Sequence, residues 1–532
     1  MNVPFYKPSL TNAEIDEVVG TLRSGWLTTG PRAKQFEQEF ACYIAQKHAV
    51  AVNSCTAALH LALEAVGVKA GDTVVVPTMT FAASAEVVRY FNAHPLLVDC
   101  RSEDFNLDVA DAERRILEAL AHGGKVTAII PVHYGGQVGD MAGVAALARK
   151  YGLKIVEDAA HCCPAYYRSE NEEGRMKKEG RGKAENGKRK AEGITTPHQC
   201  PHPQPLSHPM GEGCAGLCPV EAERVVAFNH QPSTINSEIP RATRHPGAPH
   251  PAYGHLLPRA ETGFSPNEAE RASSLNHQLT ANLPSTFNSR ANLWLPVGSN
   301  ADITCFSFYA NKCITTGEGG MACTQNDGYA ERMRIMSLHG ISKDAWKRFT
   351  AEGSWYYEIV APGFKYNLTD IASAIGIHQL RRADELHRKR QQAAALYAQL
   401  LEDVEEIILP RERPDRIHSW HLYAIRLRLD RLTLDRAQII QELKARGIGT
   451  SVHWLPLHEH PYYRETYGYQ PGDFPMAAGL YPELITLPLY PDLTEAEVAY
   501  VCDALKSIIA ANLRAVAAVC DRRNQPVVGR GS

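Results

Sequence analysis

No run of about eighteen apolar residues occurs in the 532-residue chain, so no membrane-spanning helix is expected. An excess of either charge is missing too. Lys and Arg number 56 against 59 Asp and Glu, a formal net charge of -3. That balance excludes the global electrostatics of a nucleic-acid or polybasic membrane binder, and neither partner is expected. The opening residues, Met1-Asn2-Val3-Pro4-Phe5-Tyr6-Lys7-Pro8, lack a basic head and an apolar core, so no export signal is expected. The 13 cysteines are odd in number and scattered, which suits reduced thiols and a cytoplasmic location better than a disulfide framework. What is present is apolar. With 44% hydrophobic and 22% charged residues, the chain can bury a sizeable core, which excludes full disorder.

Residues 1–168 alternate strand and helix. Thr11-Asn12-Ala13-Glu14 is a capping-box pattern and opens a helix that ends near Ser24-Gly25. Short apolar strands are predicted at 48–52, 73–76, 96–98, 127–130 and 154–156, with helices at about 57–63, 82–91, 109–120 and from about 143. Continuous apolar strands between helices argue for a largely parallel sheet covered on both faces.

The rhythm stops after Arg168. Residues 169–294 hold 14 of the 33 prolines and 8 of the 22 histidines and carry no apolar periodicity. The segment is read as a low-complexity, disordered insertion. Loop-closure entropy grows only with the logarithm of length, so the host need not unfold. Its basic run, 175–190, reads as a solvated tract. Cys200, Cys214 and Cys218 with His198 and His202 fit no common finger spacing, so no metal site is expected. Patterning resumes with strands at 303–308 and 321–324, a helix at about 328–338 and a long helix over 369–400. A smaller α+β domain over 405–515 follows, with a strand at 420–427 and helices at 436–446 and 495–511, and 516–532 reads as a tail. The large domain is thus split into 1–168 and 295–404.

Three places carry chemistry, each at a strand end, where open α/β sheets bind ligands. Asp158, in Val156-Glu157-Asp158-Ala159-Ala160-His161, is an acid directly after a buried strand. It costs free energy unless a cation pairs with it, and a protonated pyridine nitrogen is such a cation. Its bland alternative is a helix N-cap. Lys312 follows an apolar strand and precedes the turn Thr315-Thr316-Gly317-Glu318-Gly319-Gly320. A poorly solvated lysine has a lowered pKa and is a competent Schiff-base nucleophile; the alternative is a solvated loop lysine. Asn53-Ser54-Cys55-Thr56-Ala57-Ala58 turns a strand into a helix. Free helix amides and two hydroxyls there make a phosphate cradle, to which Ser307 could add a third; ordinary capping is the alternative. A lysine amine, an acid for a ring nitrogen and a helix-terminal phosphate site are together what pyridoxal phosphate needs.

Several motifs stand in order: Ser24-Gly25-Trp26-Leu27-Thr28-Thr29-Gly30-Pro31, residues 53–63, Pro131-Val132-His133-Tyr134-Gly135-Gly136, residues 157–161, residues 307–320 and Ala361-Pro362-Gly363-Phe364-Lys365-Tyr366-Asn367-Leu368-Thr369-Asp370. With them the chain resembles the DegT/DnrJ/StrS family of pyridoxal-phosphate nucleotide-sugar aminotransferases. The match runs outside 169–294 and the tail. It looks closest to members that aminate position 4 of a UDP-linked 4-keto sugar, such as the UDP-4-amino-4-deoxy-L-arabinose aminotransferase. The fold implied is the fold-type I transferase, a large α/β domain with a mainly parallel mixed sheet and a smaller C-terminal α+β domain.

The resemblance also implies residue roles. Lys312 forms the internal aldimine and shuttles the proton, Asp158 pairs with the pyridine nitrogen, and His161 sits near the ring hydroxyl. Thr56, Ala57 and Ser307 hold the phosphate. Phe81 stacks on the pyridine, although its pattern alone equally fits a core aromatic. Asn367 reaches the phosphate of the neighbouring subunit, which implies a homodimer with shared active sites. Trp26 to Thr29, His339 and His453 are looser candidates for the substrate side. Glutamate is the expected amino donor and a UDP- or dTDP-linked keto sugar the acceptor, in a ping-pong course serving polysaccharide, lipopolysaccharide or a glycosylated metabolite. Some relatives carry histidine at the lysine position and act as dehydratases; Lys312 favours transamination.

Two other readings stay open: a catalytically silent member with a regulatory or binding role, and an amino-acid aminotransferase of the same fold. The insertion is the departure from the family. It falls between Asp158 and Lys312, so both ends are expected to leave the sheet near the cofactor. The family crosses there by a short turn, here Tyr166-Tyr167-Arg168 joined to Pro296-Val297-Gly298-Ser299.

Overall fold

Apolar pentads too short for helices form strands here, and the amphipathic stretches between them form the helices that cover the sheet. The computed structural model describes residues 1–168, 294–342 and 357–514. Its strands are β1 (His48–Val52), β2 (Asp72–Pro77), β3 (His94–Val98), β4 (Lys125–Ile129), β5 (Lys154–Asp158), β6 (Tyr166–Arg168), β7 (Trp294–Pro296), β8 (Ile303–Ser307), β9 (Gly320–Thr324), β10 (Ile407–Ile408), β11 (Arg416–Ile417), β12 (Tyr423–Leu427) and β13 (Leu484–Leu487). The helices that matter below are α1 (Asn12–Ser24), α2 (Pro31–Tyr43), α3 (Cys55–Ala65), α4 (Ala83–Arg89), α5 (Val109–Ala121), α6 (Met141–Tyr151), α7 (Asp327–Ser337), α8 (Asp370–Arg381) and α9 (Ala383–Leu401).

The main sheet has seven strands in the order β1-β9-β8-β5-β4-β2-β3. Pairing is parallel from β8 through β5, β4 and β2 to β3. Strand β9 runs antiparallel to β8 and β1 on either side. This is the mainly parallel mixed sheet expected. Alternate side chains feed two cores, since successive residues of a strand face opposite ways. Ile155 joins Phe36, Phe40, Phe306 and Phe308 on one face. Val156 joins Leu59, Leu61 and Leu63 of α3 on the other. A third core gathers Tyr397 of α9, β12, β13 and the C-terminal helix Glu495–Ala511, where β10-β12-β13 form their own antiparallel sheet.

The capping box at Thr11 and Glu14 is present, and Gly25 closes α1 with φ 73°, a left-handed conformation that favours glycine. One helix was not expected and two readings need correction. Helix α2 opens at Gly30 with Pro31 in its first turn, and its capping side chain is remote: Asp370 accepts from the amides of Gly30 (2.7 Å), Ala33 (3.0 Å) and Arg32 (3.2 Å). The long helix of 369–400 is two helices, α8 and α9. They part at Arg382 (φ -102°, ψ 2°), whose guanidinium pairs with Glu14 at 3.0 Å. The strand of 420–427 begins only at Tyr423. Trp420 has φ 50°, and the amides of His421 and Leu422 turn aside to the Gly135 carbonyl (3.0 and 3.1 Å).

The disorder expected of the insertion, the zinc-like residues within it and the tail fall on 169–293 and 515–532, outside the described residues. Where the chain leaves and returns, β6 and β7 pair antiparallel with Arg168 opposite Trp294. The Arg168 guanidinium lies 4.9 Å from the Trp294 ring centre, and β11 extends this stem to a three-stranded sheet. Among the described residues, no helix is long and apolar enough to cross a membrane, no cluster of residues could hold a metal ion, and nine cysteines are free thiols.

Candidate active site

Backbone pairing brings four segments to one end of the sheet. Asn367 bridges Val52, Val52 pairs with Gly320, and Gly320 pairs with Ser307. The row ends beside the turn from β1 into α3. Ser54 caps that helix, accepting from the Ala57 amide at 3.1 Å, while the first intrahelical bond runs from Ala58 to the Ser54 carbonyl at 3.1 Å. The amides of Cys55 and Thr56 precede that bond and belong to the first turn, which helices leave to external acceptors. The close approach explains Gly320: a Cβ there would meet the Ser54 carbonyl oxygen at 2.4 Å and the Cys55 nitrogen at 2.6 Å. Asn367 Nδ2 donates to Thr29 Oγ1 at 2.6 Å, and its Oδ1 accepts from Lys365.

Asp158 ends β5 next to Cys305 of β8. Ser84 Oγ donates to its Oδ2 at 2.7 Å, and the Ala160 amide to its Oδ1 at 3.1 Å. A turn rather than a helix follows, so the N-cap alternative falls away. Burial pushes the carboxyl above its ordinary value; the Ser84 hydroxyl, the Ala160 amide and the Lys312 and His133 charges pull it back. Ser84 is itself held by Thr80 Oγ1 at 2.8 Å. Phe81, next along, is 61% exposed. It is therefore not a core aromatic, and its ring is open to a ligand.

Lys312 follows β8 and is half-buried. Burial lowers its pKa, and Cys55, Asp158 and Cys313 raise it. Each of the lysine and Asp158 thus acts on the other's charge, and the solvated-loop alternative for the lysine fails. Lys312 Nζ lies 3.5 Å from His421 Nε2. His161 packs against His421 with ring centres 4.3 Å apart, and Trp454 stacks on its other side at 5.0 Å and 23°. The Gly135 amide donates to His161 Nδ1 at 3.2 Å, so neutral His161 carries its proton on Nε2. Burial and the Lys312 charge hold His161 well below its ordinary pKa. His453, next to Trp454, is depressed to about 4, by burial first and the Lys312 charge second.

The predicted residues divide accordingly. Lys312 acts on both Asp158 and His161, and Ser307, Asn367, Thr56 and Ala57 share one end of the sheet. His339 is exposed, in a left-handed turn (φ 57°) with its amide on the Phe364 carbonyl at 2.7 Å. Trp26 folds back on the Thr29 carbonyl at 3.1 Å. Neither forms a hydrogen bond with Lys312, whose side chain meets His421 instead. Ser84, His421 and Trp454 were not singled out from the sequence. Only Trp454 had a pointer, its neighbour His453.

A buried amine, a buried acid lacking a full counter-charge and an open helix N-terminus fit pyridoxal phosphate. Its pyridinium would satisfy Asp158 and its phosphate the α3 amides. The model of the DegT/DnrJ/EryC1/StrS aminotransferase family matches residues 8–181 and 285–506. "Uncharacterized protein MJ1066" of Methanocaldococcus jannaschii is 35% identical over 510 residues, covering 96% of this chain and 98% of its own length. The spore coat polysaccharide biosynthesis protein SpsC of Bacillus subtilis is 32% identical over 508 residues, covering 95% and 97%. Among solved structures, "Putative sugar aminotransferase Spr1654 from Streptococcus pneumoniae, PMP-form" is 27% identical with a TM-score of 0.66, covering 96% of this chain and 98% of its own. The PLP form of the same protein matches at 26% and 0.66.

Proposed function

The chain belongs to the DegT/DnrJ/EryC1/StrS aminotransferase family, and on that premise we propose that it is a pyridoxal-phosphate enzyme aminating a nucleotide-linked keto sugar. In this reading glutamate gives the amino group to the keto carbon, at position 4, of a UDP- or dTDP-linked deoxy sugar. The relatives' names support the sugar half: SpsC is named for spore coat polysaccharide biosynthesis and Spr1654 as a putative sugar aminotransferase.

When bound, pyridoxal phosphate supplies an electron sink for the carbon that gives up its proton. The chain's own groups do the rest. Lys312 Nζ would hold the cofactor at its carbonyl and carry the proton. Its burial among apolar strands supplies a neutral amine at lower pH than a solvated lysine could. Asp158 would hold the ring nitrogen's N–H, and that cation would favour the ionised carboxylate against the burial that raises its pKa. His161 offers Nε2–H to the ring oxygen. Phe81 gives the ring a stacking face. Thr56, Ala57 and Ser307 take the phosphate, with Ala57 sharing the amide that Ser54 caps. Asn367 serves the phosphate of a neighbouring subunit, so the unit of function is a homodimer with shared sites. Nine free thiols among the described residues suit a cytoplasmic enzyme. The division at 168, 294, 404 and 515 belongs to the same reading, and the separate core around Tyr397 supports its C-terminal part.

The observation that carries this is the placing of half-buried Lys312 within electrostatic reach of buried Asp158, beyond neighbouring strands β8 and β5. The test is a panel of UDP- and dTDP-linked 4-keto and 3-keto sugars with glutamate, read by product mass. Amination of a 4-keto substrate is expected; amination of none of the panel would overturn the substrate assignment.

A further inference from the structure

We propose that His421 is the proton acceptor for Lys312: its Nε2 takes a proton from the lysine ammonium and gives the neutral amine that reacts. This rests on the assignment of Lys312 as the cofactor-binding amine. The step balances simply. One Nζ–H bond breaks, an Nε2–H bond forms, and the positive charge passes from ammonium to imidazolium.

Two observations carry it. Lys312 Nζ and His421 Nε2 lie 3.5 Å apart, within the reach of a hydrogen bond that tightens on ligand binding. His421 is also 4% exposed, and its Nδ1 has no hydrogen-bond partner. A neutral imidazole accepting at Nε2 carries its proton on Nδ1. Nδ1 has no acceptor among the described residues, so the lone pair offered to Lys312 is the one on Nε2.

The surroundings keep the ring neutral, so its Nε2 lone pair is available and the imidazolium it forms is short-lived. Beside burial, the charges that act on His421 are those of His161 after β5, Lys312 after β8, Arg390 of α9 and His453, and all of them disfavour imidazolium. Arg390 is itself buried with no acid paired to it among the described residues. It holds the carbonyls of Leu489 (2.9 Å), Trp420 (3.4 Å) and Lys312 (3.5 Å). Lys312 is faced by Asp158, Cys55 and Cys313 on its other sides. His161 cannot substitute: its Nδ1 lone pair is taken by Gly135 and its Nε2 is already protonated.

The test uses the full-length chain stripped of cofactor, read by the rate at which pyridoxal phosphate is captured at Lys312, followed by absorbance and confirmed by borohydride trapping and peptide mass. His421→Ala is expected to slow capture near neutral pH by about a hundredfold, with added imidazole restoring most of the rate. His421→Gln, which keeps the volume, is expected to be equally slow and to gain nothing from imidazole. Rates within about twofold of wild type in both variants, or a loss in His421→Ala that imidazole leaves untouched, would overturn the proposal. A wild-type chain that takes no pyridoxal phosphate on Lys312 would instead remove the assignment beneath it, and this inference with it.

Discussion

Gly135 donates its amide hydrogen to Nδ1 of His161 at 3.2 Å, and one peptide unit thereby fixes which ring nitrogen faces the site. The carbonyl of the same residue accepts from the His421 amide at 3.0 Å. Both histidines thus hang from one tight turn, in which Gly135 has φ 65° and Gly136 φ 106°.

Gly136→Ala tests that turn. A Cβ there would sit 2.8 Å from Ser419 Cβ and 3.0 Å from the His161 carbonyl oxygen, on a backbone that L side chains rarely adopt. The variant should lose about 1–3 kcal/mol of stability and weaken cofactor binding together, as read by denaturant midpoint and equilibrium dialysis. Unchanged values in both would show that the turn does not position His161.

Ser84→Ala removes the hydroxyl that donates to Asp158 Oδ2 at 2.7 Å. That bond favours the ionised carboxylate. Without it, affinity for pyridoxal phosphate should fall about tenfold, the equivalent of one hydrogen bond to a charged group. An affinity equal to wild type would show that Asp158 does not hold the ring nitrogen.

Burial makes Lys312 a liability to the cofactor-free fold. Lys312→Met should raise the unfolding midpoint of that form, by about 1 kcal/mol or more, while abolishing turnover and the visible absorbance of bound cofactor. A fall in stability, or retained turnover, counts against the assigned role.

Acid should destabilise the cofactor-free chain before the carboxylates titrate. His453 is depressed to about 4 and His418 to about 3, burial being the first cause in each. A histidine of the unfolded chain titrates near ~6.5. Below that value the unfolded state binds protons that the folded state refuses, so the contribution is complete above about 6.5 and drains away as pH falls towards about 4. Asp158, raised by burial, has the opposite sign: its contribution is present at low pH and lost as pH rises through its folded value. Urea midpoints against pH should fall from about 6.5 downward, and less steeply in His453→Gln. A flat profile over that range would contradict the depressed values.

The strand-end acids and bases were legible because they break an apolar rhythm. Asp158 follows four residues of β5, and Lys312 follows the apolar run of β8. The cradle at Ser54 was legible as a cap. Ser84 and His421 were not, because nothing local marks them, and Trp454 had only its neighbour His453 as a pointer. Ser84 looks like any small residue in a helix start, and its meaning depends on Asp158, 74 residues away. His421 looked like part of a strand, and the remote carbonyl of Gly135 pulls it off the sheet. Helix α2 was missed although Pro31 marks its first turn; the carboxylate that caps it, Asp370, is remote in sequence.

Arg168 stands opposite Trp294 in an antiparallel pair, so the two ends of the intervening 169–293 stretch are already neighbours. Replacing it with a two-residue Asn-Gly turn should close a hairpin and leave folding and cofactor capture intact, by circular dichroism and absorbance. Loss of folding would show that the stretch is structural.

The central claim is that Lys312 is the amine that holds the cofactor, against Asp158 across the ring. Borohydride reduction of the full-length chain loaded with pyridoxal phosphate, followed by peptide mass analysis, tests it most directly. A single phosphopyridoxyl adduct on Lys312, absent from Lys312→Met, is the predicted result; an adduct on another lysine, or none, would contradict it.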